Sequence, residues 1–227
     1  MQQIFRKEYK YVIAEEVYLK LQRMLEAVMQ VDEHSLYGDY MVRSQYYDSL
    51  TDADLCDNLS GVCDKRKIRI RIYSTNDLVA KLECKCKNAA DGIKYSLALT
   101  KEEVKMMEAH NYEFLLERKE QLALSLYTKM TQQLYRPKTI VQYDRMAYIY
   151  PASDVRITFD RNIRATVNPY GIYDDDLNYA PLMEDGFGVL EIKFNDFLPS
   201  FLKPFVDRID CVAQAYSKYS KSRVMYS

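Results

Sequence analysis

Hydrophobic and polar positions alternate with period two through Lys67-Ile68-Arg69-Ile70-Arg71-Ile72-Tyr73. Lys67, Arg69, Arg71 and Tyr73 therefore fall on one face of a strand, and Ile68, Ile70 and Ile72 on the other. The period returns along the chain. Ile4 to Ile13 sets Arg6, Glu8 and Lys10 against Phe5, Tyr9, Tyr11 and Ile13, and Lys81 to Lys87 places Lys81, Glu83, Lys85 and Lys87 on one face. Ile93 to Leu99 puts Lys94 and Ser96 together, and Val42 to Ser49 reads as a further strand. A strand running to about Tyr150 after Pro137 brings Tyr143 and Arg145 onto one side. Val155 to Asp160 sets Arg156, Thr158 and Asp160 against Val155, Ile157 and Phe159, close enough behind to form a hairpin. Gly188 to Phe194 sets Glu191 and Lys193 against Leu190, Ile192 and Phe194.

A period near 3.6 marks the helices. The first is predicted over Ala14 to Gln30, with Val17, Leu21, Met24, Leu25 and Val28 as its apolar stripe. Thr100 followed by Glu103 is a capping box, opening a helical region that reaches about Gln133 and breaks near Asn111. Leu115, Leu116, Leu122, Leu126 and Met130 give it an apolar side. After Pro199, Phe201, Leu202 and Phe205 predict a short helix, and another is expected over Val206 to Tyr219. Asp48 to Asp64 reads as a polar loop, Asn76–Asp77 and Ala89 to Gly92 as turns, and the acidic, Tyr-rich stretch Asn168 to Gly186 as a surface loop able to cover an opening.

Strands with one apolar and one polar face, together with amphipathic helices, predict an α+β fold. An antiparallel sheet would have helices packed on its outer side and close into a barrel with a polar lumen. At 227 residues a single domain, 1–227, is expected. With 32 basic against 33 acidic residues, the overall charge does not point to nucleic acid, and the charged strand faces lack an aromatic stacking platform. No window approaches the roughly 18 apolar residues of a membrane helix. The polar stretch Met1 to Lys10 lacks a signal-peptide core, so a cytoplasmic location without direct membrane insertion is expected. The cysteines Cys56, Cys63, Cys84, Cys86 and Cys211 suggest neither a disulfide framework nor a zinc site, and Cys84 and Cys86 fall on the apolar side of their strand. His34 and His110 read as surface residues, and the tyrosines mostly as packing.

Charge matters locally. The polar strand faces collect Arg6, Lys10, Lys67, Arg69, Arg71, Lys81, Lys85, Lys87, Lys94, Arg145, Arg156 and Lys193 against Glu8, Glu83, Asp160 and Glu191, twelve cations against four anions. Burying so many cations costs several kcal/mol each unless an anion or water accompanies them. Phosphates in a row fit, since Arg offers bidentate contacts and Lys point charges. Glu8, Glu83 and Glu191 would then hold Mg²⁺ or Mn²⁺, hard cations that bridge phosphate oxygens.

Arg6-Lys7-Glu8-Tyr9-Lys10-Tyr11, the Lys-Ile-Arg-Ile-Arg-Ile-Tyr strand, Leu82-Glu83-Cys84-Lys85, Val155 to Asp160, Val189 to Phe194 and Tyr216-Ser217-Lys218-Tyr219 occur in that order over essentially the whole chain. This pattern resembles the triphosphate tunnel metalloenzymes, and within them the catalytic domain of the vacuolar transporter chaperone (VTC) polyphosphate polymerases. The resemblance implies an eight-stranded antiparallel tunnel that binds the triphosphate of ATP and transfers its terminal phosphoryl group onto a growing polyphosphate chain. It implies that Lys10, Arg69, Arg71, Lys85, Lys94, Arg145 and Arg156 form a phosphate-binding ring, with Glu191 as metal ligand and Ser217 and Lys218 as contacts from the C-terminal segment. Lys193 and Glu83 match less distinctively. The first strand carries only part of the ExExK signature of the cyclase and thiamine triphosphatase branch, and Ala215 stands where another basic residue is expected. A membrane-protein partner for product handling is left open. Two alternatives share the residue pattern: a tripolyphosphatase or nucleoside triphosphatase with water as acceptor, and a non-catalytic polyphosphate or nucleotide sensor.

Overall fold

The computed structural model describes residues 6–88, 91–195, 197–209 and 211–225. Ile4 and Phe5, the centre of the Ala89–Gly92 turn, and the side chains of Arg6 and Lys87 lie outside that description. In chain order the strands are β1 (Arg6–Ala14), β2 (Gln30–Val31), β3 (Tyr40–Asp48), β4 (Lys65–Ile72), β5 (Val79–Asn88), β6 (Asp91–Thr100), β7 (Arg136–Tyr150), β8 (Val155–Thr166), β9 (Ala180–Pro181) and β10 (Phe187–Asn195). The helices are α1 (Glu15–Glu26), α2 (Ala53–Leu59), α3 (Lys101–Glu108), α4 (Gln121–Gln132), α5 (Lys203–Asp207) and α6 (Lys218–Val224). The order β1-β10-β8-β7-β3-β4-β5-β6 gives eight main strands, the number the family resemblance implies, with β2 on β7 and β9 on β8. The order begins at β1 and ends at β6, and among the described residues no ladder closes it.

Packing divides the chain into two compact units, Met1–Met41 with Tyr143–Ile163 and Pro181–Ser217, and Val42–Gln142 with Arg164–Ala180 and Lys218–Ser227. In the first unit, the odd positions of β1 and the even positions of β10 turn Tyr11, Ile13, Leu190, Ile192 and Phe194 into one apolar cluster with Ile157 and Phe159 of β8 and Tyr18, Leu21 and Leu25 of α1. The ring edge of Tyr18 meets Phe159 at 4.5 Å between centroids. Glycine at 188 is required here, because a Cβ would stand 2.9 Å from the Asp160 carbonyl oxygen and push β10 off β8.

In the second unit the register Arg43↔Ile72 to Tyr47↔Ile68 pairs β3 with β4, and β5 lies between β4 and β6. Ile68, Ile70, Ile72, Leu82 and Ala80 have no exposed surface, and each isoleucine contributes about 2–3 kcal/mol by leaving water. The Thr100–Glu103 capping box forms as expected, and the helical region breaks where His110 takes a left-handed φ of 62°.

Three expectations fail locally. The first helix ends at Glu26 rather than Gln30, and Val28 is exposed, because Gln30 and Val31 pair with Ile149 and Tyr148. The loop 48–64 contains α2, whose first-turn amides of Asp54 and Leu55 are capped by Asp48 from six and seven residues upstream. The helix over Val206 to Tyr219 does not form as such: α5 stops at Asp207, and Gln214 donates its amide to the Lys10 carbonyl before α6 begins. Asn168–Gly186 is a loop with the short β9 in it, and Ile172 and Asp174 in its second-unit part are anchored by Arg43, which donates to both carbonyls at 2.8 and 2.6 Å. Among the described residues no helix is long and apolar enough to cross a membrane, a statement that does not concern membrane β-barrels.

Candidate functional site

Period-two alternation on β4, β5 and β6 places charged side chains on one face of the second unit, and register decides which of them meet. Arg69 lies opposite Glu83 on β5 and Tyr46 on β3, Arg71 lies opposite Ser44, and Lys85 pairs with Lys67 and Lys94. The Glu83 side chain is only 2% exposed, and Arg69 reaches its Oε2 through Nε at 2.8 Å and Nη2 at 2.7 Å. Arg71 Nη1 stands 3.8 Å from the same oxygen, and Lys94 Nζ ion-pairs with Oε1. Burial alone would raise the Glu83 carboxyl, but Arg69, Arg71 and Lys94 pull it down to about 2. Three cations thus share one carboxylate, a net positive cluster held in fixed positions by a buried anion. Tyr46 steadies Arg69 further by accepting from Nη1 at 3.3 Å, and Ser44 accepts from Arg71 Nε at 3.2 Å.

Tyr46 in turn stacks on Tyr219 of α6, with centroids 5.1 Å apart and planes at 22°. The Tyr219 hydroxyl donates to Asp48 Oδ2 at 2.6 Å, and Arg223 pairs with Asp52 at 2.9 Å. The basic C-terminal segment is therefore a docked helix. Lys218 opens that helix, Ser217 precedes it, and both are half-buried. Lys85 is exposed on the Glu83 face of β5.

The first unit gathers a different set. Lys10 on β1 lies opposite Glu191 on β10, Glu8 opposite Lys193, and Lys193 opposite Arg156 on β8. Lys10 Nζ contacts Glu8 at 2.7 Å and Glu191 at 3.4 Å, while Lys193 Nζ reaches Glu191 at 3.0 Å. Arg145 of β7 holds the fully buried Asp160 with two bonds of 2.6 and 2.8 Å, and its Nη2 stands 4.0 Å from Glu191. Burial would raise the Glu191 carboxyl, yet Lys193, a hydrogen bond with Glu8, Lys10 and Arg145 hold it well below the carboxylate range. Lys10 is raised despite its burial, because Glu191 and Glu8 favour its charged form. Lys193 is lowered, burial outweighing Glu191. Arg156 turns to Asp32 at 3.2 Å and the Tyr40 hydroxyl at 3.3 Å. Here cations and carboxylates balance, in contrast to the second unit.

Glu8 and Glu191 fit a hard divalent cation. They meet at one ammonium, Glu191 stays ionised, and two carboxylates leave the remaining coordination positions to water and phosphate oxygens, the usual way Mg²⁺ is held. Among the described residues no group of three or more His, Cys, Asp or Glu is gathered, so a cage made wholly of protein ligands is not what they offer. Both Glu83 oxygens are engaged by cations, which suits it to ordering them. Sequence reasoning missed Asp32, Tyr40, Ser44, Tyr46, Asp48 and Tyr219. The parity of Ser44 and Tyr46 in their strand was a usable signal, but β3 carries polar residues on both faces, which blurs its alternation.

A family model described as "VTC domain" matches residues 5–226. Among solved structures, the chain is similar to an adenylyl cyclase candidate from Hippeastrum with a dominant triphosphatase activity, at 12% identity and a TM-score of 0.58 over 98% of this chain and 96% of that one. It is also similar to an adenylate cyclase candidate from Bacillus halodurans, at 15% identity and a TM-score of 0.55 over 93% of this chain and 96% of that one. No curated protein matches the chain. With almost its whole length matched by one family model, and its fold shared with these two cyclase candidates, the chain belongs to the VTC domain family.

Proposed function

We propose that the protein is a polyphosphate polymerase that transfers the terminal phosphoryl group of ATP to the end of an inorganic polyphosphate chain, with residues 1–227 acting as one catalytic domain. The observation that carries this reading is the gathering of Arg69, Arg71 and Lys94 on the buried carboxylate of Glu83. Two guanidiniums and an ammonium fixed in advance suit an oligophosphate, whose charge is high and whose oxygens accept bidentate contacts. In the transfer, a terminal phosphate oxygen of the acceptor attacks the γ-phosphorus, the bond to the β,γ-bridging oxygen breaks, and ADP leaves. Such a displacement asks for positioning and charge stabilisation rather than a protein nucleophile. Arg69 and Arg71 would bind and orient the phosphates, and Tyr46 and Ser44 would keep the two guanidiniums aimed. Lys85, Lys193, Arg145, Arg156, Ser217 and Lys218 are assigned to substrate contacts or their support.

Glu8 and Glu191 would hold Mn²⁺ or Mg²⁺, which when bound neutralises charge on phosphate oxygens. A cytoplasmic location, where ATP is supplied, goes with this reading, and a membrane protein receiving the product is compatible with it. A second reading, hydrolysis with water as acceptor, is favoured by the triphosphatase activity of the similar Hippeastrum protein. Arg69→Ala with Arg71→Ala tests the shared part of both readings: turnover of ATP should fall by about 100-fold or more, and undiminished turnover would remove the cluster from the mechanism. Long polyphosphate on a gel, as opposed to free phosphate alone, separates polymerase from hydrolase.

A further inference from the structure

Strand β5 carries a second chemistry on the face turned away from Glu83. Cys84 is buried, Cys86 is half-buried, and their sulfurs stand 3.6 Å apart. Arg66 on β4 lies directly opposite Cys86, and Ile93 on β6, half exposed, lies on its other side. Burial would lower the Arg66 guanidinium, but a hydrogen bond with Cys86 and the charge it can carry raise it.

Two ways exist to join such sulfurs, and strand geometry discriminates between them. Residues two apart on a strand are separated by about 6.6 Å, whereas a disulfide wants its Cβ atoms about 3.8 Å apart. A direct sulfur–sulfur bond would therefore buckle β5, which ladders hold on both sides. A single bridging ion, with metal–sulfur bonds of about 2.3 Å, spans sulfurs roughly 3.6–4.6 Å apart and leaves the backbone in place.

We propose that Cys84 and Cys86 form a two-thiolate site for a soft, thiophilic metal ion, monovalent copper being the ion that it fits. Thiolates select soft ions, and zinc would require further ligands where no group of three or more His, Cys, Asp or Glu is gathered among the described residues. Two thiolates on a monovalent ion carry one negative charge, which Arg66 is placed to balance. Binding releases the two thiol protons and changes no oxidation state. A coordinating metal displaces the thiol protons as it binds, so neither cysteine has to be ionised beforehand. The site does not depend on the proposed phosphoryl transfer, since it lies on the opposite face of the strand.

The test is an anaerobic titration of the reduced full chain with monovalent copper in the presence of bicinchoninate as competing chelator. The wild type and the triple variant C56S/C63S/C211S should each withdraw one equivalent from the chelate. C86S, which alters the half-buried member and spares the buried one, should lose that equivalent, as should C84S/C86S. In the triple variant, copper should slow alkylation of Cys86 by iodoacetamide by at least about 10-fold, read by mass spectrometry. Retention of the equivalent by C86S, failure of the wild type to compete with the chelator, or unprotected alkylation would overturn the proposal.

Discussion

Replacing Glu83 by Gln keeps the shape of the side chain and removes the one charge that holds Arg69, Arg71 and Lys94 together. The carboxyl moves from 4.5 to about 2 in the folded chain, which at about 1.4 kcal/mol per pKa unit amounts to about 3 kcal/mol at neutral pH. Lys94 is 52% exposed, so its share is screened by water and the figure is an upper bound. Breaking a buried ion pair from one side costs about 3–5 kcal/mol in other proteins, a similar size reached by a separate route. Urea unfolding of wild type and variant at several pH values measures it. Because the folded pKa is depressed, the stabilisation is present above the unfolded value of 4.5 and is lost as pH falls towards 2. The difference between the two proteins should therefore be constant from about pH 5 to 8 and shrink on acidification below that range. A loss under about 1 kcal/mol at pH 7, or a difference that grows on acidification, would refute the idea that Glu83 organises the cluster.

Glu191→Gln should lower metal-dependent turnover by about 100-fold or more while leaving tripolyphosphate binding, measured by calorimetry, within a few-fold of wild type; equal loss of binding would make Glu191 a substrate contact instead. Asp48→Asn should destabilise the protein by about 1–3 kcal/mol, seen as a lowered thermal midpoint. Asp48 receives the amides of Ser49, Asp54 and Leu55 and the hydroxyl of Tyr219 at 2.6–2.9 Å, and an unchanged midpoint would show that these bonds are not needed to dock α6.

The strands were legible because a buried apolar face forces period two. Ile68, Ile70 and Ile72 are fully buried, while Arg69 lies partly open on the other face. Register was not legible, and register is what turns alternation into a site: nothing local to Lys10 names Glu191 as its partner across β1 and β10. The shared cationic sign of the strand faces set Arg69, Arg71, Lys94 and Glu83 on polar faces but read Glu83 as a metal ligand rather than their common counter-ion, and it did not show the balanced cluster around Glu191, where Asp160 and Asp32, the latter outside any predicted strand, answer Arg145 and Arg156. Long-range bonds account for the misjudged segments. Cap bonds from Asp48 start α2 where the composition reads as loop, and the Gln214–Lys10 backbone bond holds extended a stretch whose apolar spacing reads as helix.

Incubating the protein with ATP and Mn²⁺, and resolving the products on a gel stained for polyphosphate alongside an assay for free phosphate, decides whether it is a polymerase. A polymerase forms long polyphosphate in step with ADP. Consumption of ATP to free phosphate with no polyphosphate, or no turnover at all, would contradict it.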